Sequence, residues 1–287
     1  MCTKIIDTPR GPVEYSDAGA GEPILYFHGT GVTGEAMIPV ESPLIEGGFR
    51  LIIPNRPGYG RSPLSVHHSA ADTCAQSAAL LRALNVHRAH VMGSSGGATF
   101  AISFAVNYPG QTKSLVLLCP QIHRWDHKRW LPASSRWTLP LLKRSFLRKL
   151  LLKLYRLQFL RMSPQQFLKM EAGDRYSDVV DDPEVISFCE SSLAAMAHGI
   201  QFPGFENDFR IFLNEDVLST SESIKKPTLV IHDPIDPIAP VCHVDWLVSK
   251  VRHCERVSLR TAGHLIWVGP DAKSTYQARA RFLRDVD

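Results

Sequence analysis

Five consecutive residues, Gly93-Ser94-Ser95-Gly96-Gly97, constrain this 287-residue chain more tightly than any others. They lie between an apolar run at 89–92, which reads as a strand, and a helical pattern over 96–108. The pattern G-x-S-x-G fits in one frame only, because centring it on Ser94 would require glycine where Met92 stands. A chain that passes from strand to helix in so few residues turns sharply, with strained angles and crowded neighbours. Glycines two residues either side of Ser95 remove side chains that would collide there. Such a turn lifts the Ser95 hydroxyl above the sheet, beside a helix N-terminus that favours negative charge. In a loop the same residues would be only a glycine-rich connection. The strand before them and the helix after them give them chemical meaning.

The rest of the chain supplies a sheet for that turn. Apolar runs at 24–27, 51–53 and 114–118 show no polar alternation and stop at His28-Gly29, Pro54 and Pro120. Helical spacing over 70–84 and 96–108 separates them. Strands of this kind between helices predict a parallel sheet covered on both faces. The pattern halts after 119 and resumes with a strand at 228–231, a helix including 246–251, a strand at 256–259 and a last helix over 272–283. A gap of about a hundred residues is too long for a structureless loop in a compact domain. The expected organisation is therefore one α/β core, 1–119 and 225–287, interrupted by a helical lid at 120–224. Charge marks the same break. Residues 120–165 carry eleven Lys and Arg against Asp126 alone, and residues 166–224 carry three against twelve Asp and Glu.

Composition excludes several classes. With 44% apolar residues, 21% charged residues and a net charge of +4, the chain is not of disordered type. The weak net charge gives no reason to expect a nucleic-acid partner. Six scattered cysteines with no C-x-x-C pair imply neither a disulfide framework nor a zinc site, so reduced thiols and a cytoplasmic setting are expected. Residues 1–15 hold no apolar run of signal-peptide length. No stretch of about 18 apolar residues could span a membrane.

A serine hydroxyl needs a base to become a useful nucleophile. On strand–turn–helix frames of this kind the acid and the histidine follow the serine in that order. Of twelve histidines, His264 stands in Thr261-Ala262-Gly263-His264, just after the last strand. The glycine before it lets the imidazole turn back over the sheet. His67, His68, His123 and His127 lie in polar loops. After the strand at 228–231 come two candidate acids, Asp233 and Asp236. Asp236 is preferred to orient the imidazole and stabilise its charged form. Asp233, nearer the strand end, could instead hold the turn by an Asx hydrogen bond. Acyl transfer also needs backbone N–H donors aimed at the developing oxyanion. Those of Thr30, in Phe27-His28-Gly29-Thr30-Gly31, and Gly96 are the expected pair. His28 is expected to hold the loop by a hydrogen bond and to do no chemistry.

Taken together, His28-Gly29-Thr30-Gly31, Arg56-Pro57-Gly58-Tyr59-Gly60-Arg61-Ser62, the Ser95 turn, Asp236 before Pro240, and Gly263-His264 resemble the α/β-hydrolase fold superfamily over nearly the whole chain. The resemblance implies an eight-stranded, mostly parallel sheet with a helical lid after the sixth strand. It implies no cofactor and no metal. It carries catalytic roles onto Ser95, Asp236 and His264, oxyanion donation onto Thr30 and Gly96, and support of the turns onto His28, Gly29, Gly93 and Gly97. It also sets some branches aside. Haloalkane dehalogenases and epoxide hydrolases carry aspartate where Ser95 stands, and proline iminopeptidases usually carry tryptophan where Gly96 stands.

Within the lid, Leu142, Phe146, Leu150, Leu154 and Leu157 fall on one helical stripe, with Arg144, Arg148, Lys149, Lys153 and Arg156 mainly opposite. The apolar face is expected to cover a pocket and the basic face to meet water or the acidic half of the lid. A membrane surface or an anionic substrate is the other partner such a helix could take. Trp125, Trp130 and Trp137 are candidates to line an acyl or aromatic pocket. The expected activity is hydrolysis of a carboxylic ester with an apolar group through an acyl-enzyme. Carbon–carbon bond hydrolysis or hydroxynitrile lyase chemistry on the same triad, or ligand binding without turnover, are the alternatives.

Overall fold

The apolar runs at 24–27, 51–53, 89–92, 114–118 and 228–231 pair edge to edge in one sheet. The computed structural model describes residues 3–65, 68–121, 139–215 and 218–286. In chain order the elements are β1 (Thr3–Thr8), β2 (Gly11–Ala18), β3 (Glu22–Phe27), α1 (Gly34–Val40), α2 (Ser42–Glu46), β4 (Phe49–Pro54), α3 (Ala70–Ala83), β5 (Ala89–Ser94), α4 (Gly97–Asn107) and β6 (Thr112–Leu118). Among the described residues six α-helices follow: α5 (Leu139–Leu142), α6 (Ser145–Phe159), α7 (Pro164–Ala172), α8 (Tyr176–Val179), α9 (Pro183–Gly199) and α10 (Pro203–Asn214). The chain then closes with β7 (Thr228–His232), α11 (Val241–Lys250), β8 (Cys254–Ser258) and α12 (Ala272–Asp285).

The eight strands run in the order β1-β2-β4-β3-β5-β6-β7-β8. The pairs β1–β2 and β2–β4 are antiparallel and the other five are parallel. Alternation along each strand divides the core. Leu25 and Phe27 pack with Cys74, Ala78, Phe100 and Phe104 of α3 and α4 and with Leu247 of α11. Ile24 and Tyr26 pack on the opposite face with Met37, Leu44 and Phe282, from α1, α2 and α12. Burial on both faces explains why these strands read as unbroken apolar runs. β1 and β2 gave no such signal. β1 is an edge strand with no fully buried side chain. β2 buries Glu14 and Ser16, and the Glu14 carboxylate accepts from Asn55 and Arg61.

Between β6 and β7 the described residues 139–215 are helices and turns. Their apolar side chains merge with the main body in a third cluster, which joins Phe159, Phe167, Leu168 and Phe205 to Tyr59, Ala262 and Leu265. Residues 139–160, which read from the sequence as a helix or a helix pair, form two helices, α5 and α6. The orientation of the apolar stripe departs in part from expectation, since Leu142 and Leu154 line a large cavity but Phe146, Leu150 and Leu157 do not. The Leu142 end is buried, but Phe146 is 78% exposed and Leu150, Leu154 and Leu157 are exposed as well. The covered face carries Arg148, Leu152 and Phe159, with Tyr155 half-buried beside them. Ring packing decides the matter. Tyr155 stacks on Phe205 and Phe159 meets Phe167 edge to face. Arg148 reaches Glu206 of α10 at 3.1 Å, so one basic residue of the first half pairs with the acidic second half. Trp125, Trp130 and Trp137, with His67, His123 and His127, lie outside the described residues. Among the described residues no helix is long and apolar enough to cross a membrane.

Candidate active site

β3 lies between β4 and β5, so successive connections leave it toward opposite sides of the sheet. In open α/β sheets a crevice forms beyond the strand ends at such a switch point, and ligands bind there. Phe27 is level with Gly93, so the turn after β3 and the turn after β5 reach the same height.

Ser95 occupies the second of these turns with φ +50°, in the left-handed region that a serine rarely adopts. Its amide donates to the Leu118 carbonyl at 2.9 Å, and its carbonyl accepts from the Ala98 and Gln121 amides at 3.1 Å each. A Cβ on Gly93 would lie 2.7 Å from Ala101 Cβ, and one on Gly97 2.5 Å from the His28 carbonyl oxygen. Neither position therefore accepts a side chain without movement of the backbone around it.

The structure brings Ser95, His264 and Asp236 together. His264 Nε2 lies 2.9 Å from Ser95 Oγ, and Nδ1 lies 2.7 Å from Asp236 Oδ2. Asp236 Oδ1 accepts the amides of Ile238 at 2.8 Å and Ala239 at 2.9 Å, which fixes the carboxylate. With Nδ1–H donating to that carboxylate, Nε2 is left to accept the serine proton. Burial acts on the His264 imidazole to disfavour its charge. The charge and hydrogen bond of Asp236, with Glu171 behind them, outweigh burial and hold the imidazole above its ordinary value of 6.5. Asp233 faces elsewhere. It accepts from the Ile235 amide at 3.1 Å and the Thr261 amide at 2.9 Å, and it pairs with Arg175 of the helical segment. Its place is structural, at the base of the histidine loop. Gly263, at φ +65°, lets that loop pass α7, because a Cβ there would lie 2.6 Å from the Glu171 carbonyl oxygen.

Thr30 and Gly96 meet beside Ser95. Among the described residues no acceptor takes either backbone N–H. The Thr30 hydroxyl is buried, has no hydrogen-bond partner among the described residues, and lies against Gly96. His28 is fully buried; its Nδ1 reaches the Gly29 carbonyl at 2.9 Å and its Nε2 accepts the Arg56 amide at 3.2 Å. Burial and the Arg56 charge hold it neutral, well below its ordinary value.

Two features escaped sequence reading. The first is a network that ties the Thr30 turn to the helical segment. Asp208 of α10 pairs with Arg56 at 2.5 Å and accepts from the Tyr59 hydroxyl at 2.7 Å. Arg56 in turn donates to the His28 carbonyl, and Tyr59 accepts the Gly31 amide at 3.1 Å. Arg56 and Tyr59 were visible only as part of the Arg56–Ser62 motif, and nothing in the sequence linked them to Asp208. The second is Glu171, at the end of α7, which lines the same cavity as Ser95 and His264. That cavity has a volume of about 920 Å³ and is walled mainly by apolar side chains, among them Phe167, Phe188, Met196, Phe205 and Trp267. Among the described residues no group of three or more His, Cys, Asp or Glu is placed to hold a metal ion.

Residues 22–268 match the profile of the family described as the alpha/beta hydrolase fold. The chain is 29% identical to the uncharacterized hydrolase YcgS of Bacillus subtilis (strain 168), over 95% of each chain. It is 29% identical over 113 residues to a 2-hydroxy-6-oxo-6-phenylhexa-2,4-dienoate hydrolase of Comamonas testosteroni, a match covering 38% of this chain and 40% of that protein. Among solved structures, it superimposes on an alpha/beta hydrolase fold protein from Nakamurella multipartita with a TM-score of 0.78, at 24% identity and over 99% of both chains.

Proposed function

This chain belongs to the alpha/beta hydrolase fold family, and from that premise we propose a serine hydrolase acting on a carboxylic ester with an apolar acyl or alcohol group. The observation that carries the proposal is the unbroken hydrogen-bond chain from Ser95 Oγ through His264 to Asp236, at the wall of an apolar cavity. In this reading Ser95 Oγ attacks the ester carbonyl while His264 Nε2 takes its proton. The oxyanion forms between the amides of Thr30 and Gly96. Collapse returns the proton from His264 to the departing alkoxide and leaves an acyl group on Ser95. Water, activated by His264, then releases the acid. The helices between β6 and β7, which we read as the lid at 120–224, wall the cavity and keep bulk water from the acyl-enzyme.

The direct test is a panel of p-nitrophenyl esters of graded acyl length, beside labelling by a fluorophosphonate. Hydrolysis across the panel and labelling at Ser95 are expected; a folded protein that does neither would sink the proposal. A pH prediction follows from the raised His264. The base must be neutral, so kcat/KM is expected to rise with pH through a midpoint above 6.5. Asp236→Asn removes the charge that raises the imidazole, so its midpoint should move down while the plateau falls. A pH–rate profile from about pH 5 to pH 9 measures both. An unmoved midpoint would show that Asp236 does not act on the titrating base.

A second reading is hydrolysis of a carbon–carbon bond beside a carbonyl on the same triad. The partial match to the dienoate hydrolase supports it. The described lining of the cavity does not favour it, since no Lys or Arg there would receive a dienoate carboxylate.

A further inference from the structure

We propose that Glu171 is a cation subsite in the catalytic cavity, so that the preferred ester carries an ammonium group with N–H donors on its chain. This rests on the serine-hydrolase reading above and deepens it.

The argument begins with the other buried acids. Glu14 accepts from Asn55 and Arg61. Glu41 holds Arg279 at 2.6 Å and Trp267 at 2.9 Å. Asp208, Asp233 and Asp236 have the partners given above. Glu171 is equally buried, at 6% exposure, yet among the described residues nothing donates to its carboxyl. Neither of its oxygens is sealed off, for neither is among the buried side-chain atoms without a partner. The carboxyl therefore faces the cavity that it lines. An unpartnered acid in an apolar chamber destabilises a fold, and a fold that keeps one points to a ligand that completes it.

Its position is also built. α7 is capped by Ser163, whose hydroxyl accepts the Gln166 amide at 3.2 Å while the Gln166 side chain accepts the Ser163 amide at 2.9 Å. At the other end of the helix, the Glu171 carbonyl accepts the His264 amide at 2.9 Å. The acid is thus held at a fixed offset from the catalytic imidazole. Asp236 is engaged by His264 and two amides, so among the described lining residues Glu171 is the acid left for a substrate. No Lys or Arg competes for it among the described lining residues. Burial, with the nearby Asp236 charge, pushes Glu171 up to about 7 against the opposing pull of His264. An entering ammonium reverses that balance by favouring the carboxylate. The carboxylate also gains population over the pH range in which His264 becomes a neutral base.

The probes are p-nitrophenyl ω-aminoacyl esters of graded length, each beside a neutral ester in which a methyl group replaces the ammonium. The readout is the ratio of their kcat/KM values, measured within each protein at about pH 8. A change in His264 or in the folded fraction common to both substrates cancels in that ratio. At the best length the wild-type ratio should reach about tenfold or more. Glu171→Gln should bring it to about one, and Glu171→Asp should keep part of it. A wild-type ratio at or below one for every length overturns the subsite alone, provided the neutral esters are hydrolysed. A high ratio that survives in Glu171→Gln overturns it too. A folded protein that hydrolyses neither series and resists fluorophosphonate overturns the serine-hydrolase reading and the subsite with it.

Discussion

Replacing Ser95 with alanine is expected to lower kcat toward a p-nitrophenyl ester by about ten-thousand-fold or more, with the fold intact. The size of the loss follows from what remains. His264, Asp236 and the free amides of Thr30 and Gly96 would still sit in place, so a water could attack in the position Ser95 Oγ occupies. That water would have to be held and activated without the intramolecular advantage of a tethered nucleophile. The acyl-enzyme would be lost, and with it the two-step path. Stability should change little, because alanine keeps the Cβ that fits this turn and inherits the same positive φ. The strain, on the order of 1–3 kcal/mol for a non-glycine residue in this region, is therefore common to both proteins. Near-parental melting with residual turnover at the level of a folded inactive control is the expected outcome. A variant that keeps more than a few per cent of the parent kcat would remove Ser95 from the mechanism.

The contrast between Ser95 and Glu171 shows where sequence reading reaches and where it stops. Ser95 and Asp236 each follow a strand buried along its whole length, so the strand announces itself and the position after it can be read, whereas His264 follows the edge strand β8, which buries no residue fully, and is read from the glycine before it. Glu171 follows no strand. Its place beside His264 arises from α7 folding back so that its last turn meets the His264 loop, a contact between segments distant in sequence. Asp208 is hidden for the same reason, since on α10 it looks like one more member of an acidic stretch. The misread face of α6 has a related cause. An amphipathic pattern tells which side of a helix is apolar, but Tyr155, Phe159 and Arg148 found aromatic and acidic partners on a different side. β2 gives no apolar run because Glu14 is buried there only by virtue of Asn55 and Arg61, which the chain after β4 supplies, and β1 gives none because, as an edge strand, it buries no side chain fully.

Asp208→Ala should produce the second large effect, on stability and turnover together. The side chain is 2% exposed, and its removal leaves the Arg56 guanidinium buried without its anion. Breaking one side of a buried pair costs about 3–5 kcal/mol, a large share of the roughly 5–15 kcal/mol that holds a typical domain folded. Packing of Arg56 over the Phe100 ring, at 4.6 Å from its centroid, offsets little of that loss. A fall in melting temperature on the order of 10 °C is expected. The catalytic consequence runs through two neighbours. Arg56 holds the His28 carbonyl and Tyr59 holds the Gly31 amide, so the two residues bracket Thr30. Without Asp208, Tyr59 loses the acceptor that orients its hydroxyl, and the Thr30 amide is no longer fixed at the proposed oxyanion site. Displacements of about 1 Å at such a donor can cost up to about a hundredfold in rate. We therefore expect kcat, measured well below the melting temperature of the variant, to fall by about tenfold or more, with a smaller change in KM. Asp208→Asn keeps an acceptor for Tyr59 but no charge for Arg56. It should lose a comparable share of stability and less of kcat. If Asp208→Ala melts early yet keeps the parent kcat, the network braces the helical segment without governing the Thr30 turn. If it melts with the parent, the buried pair is not a stabilising element at all.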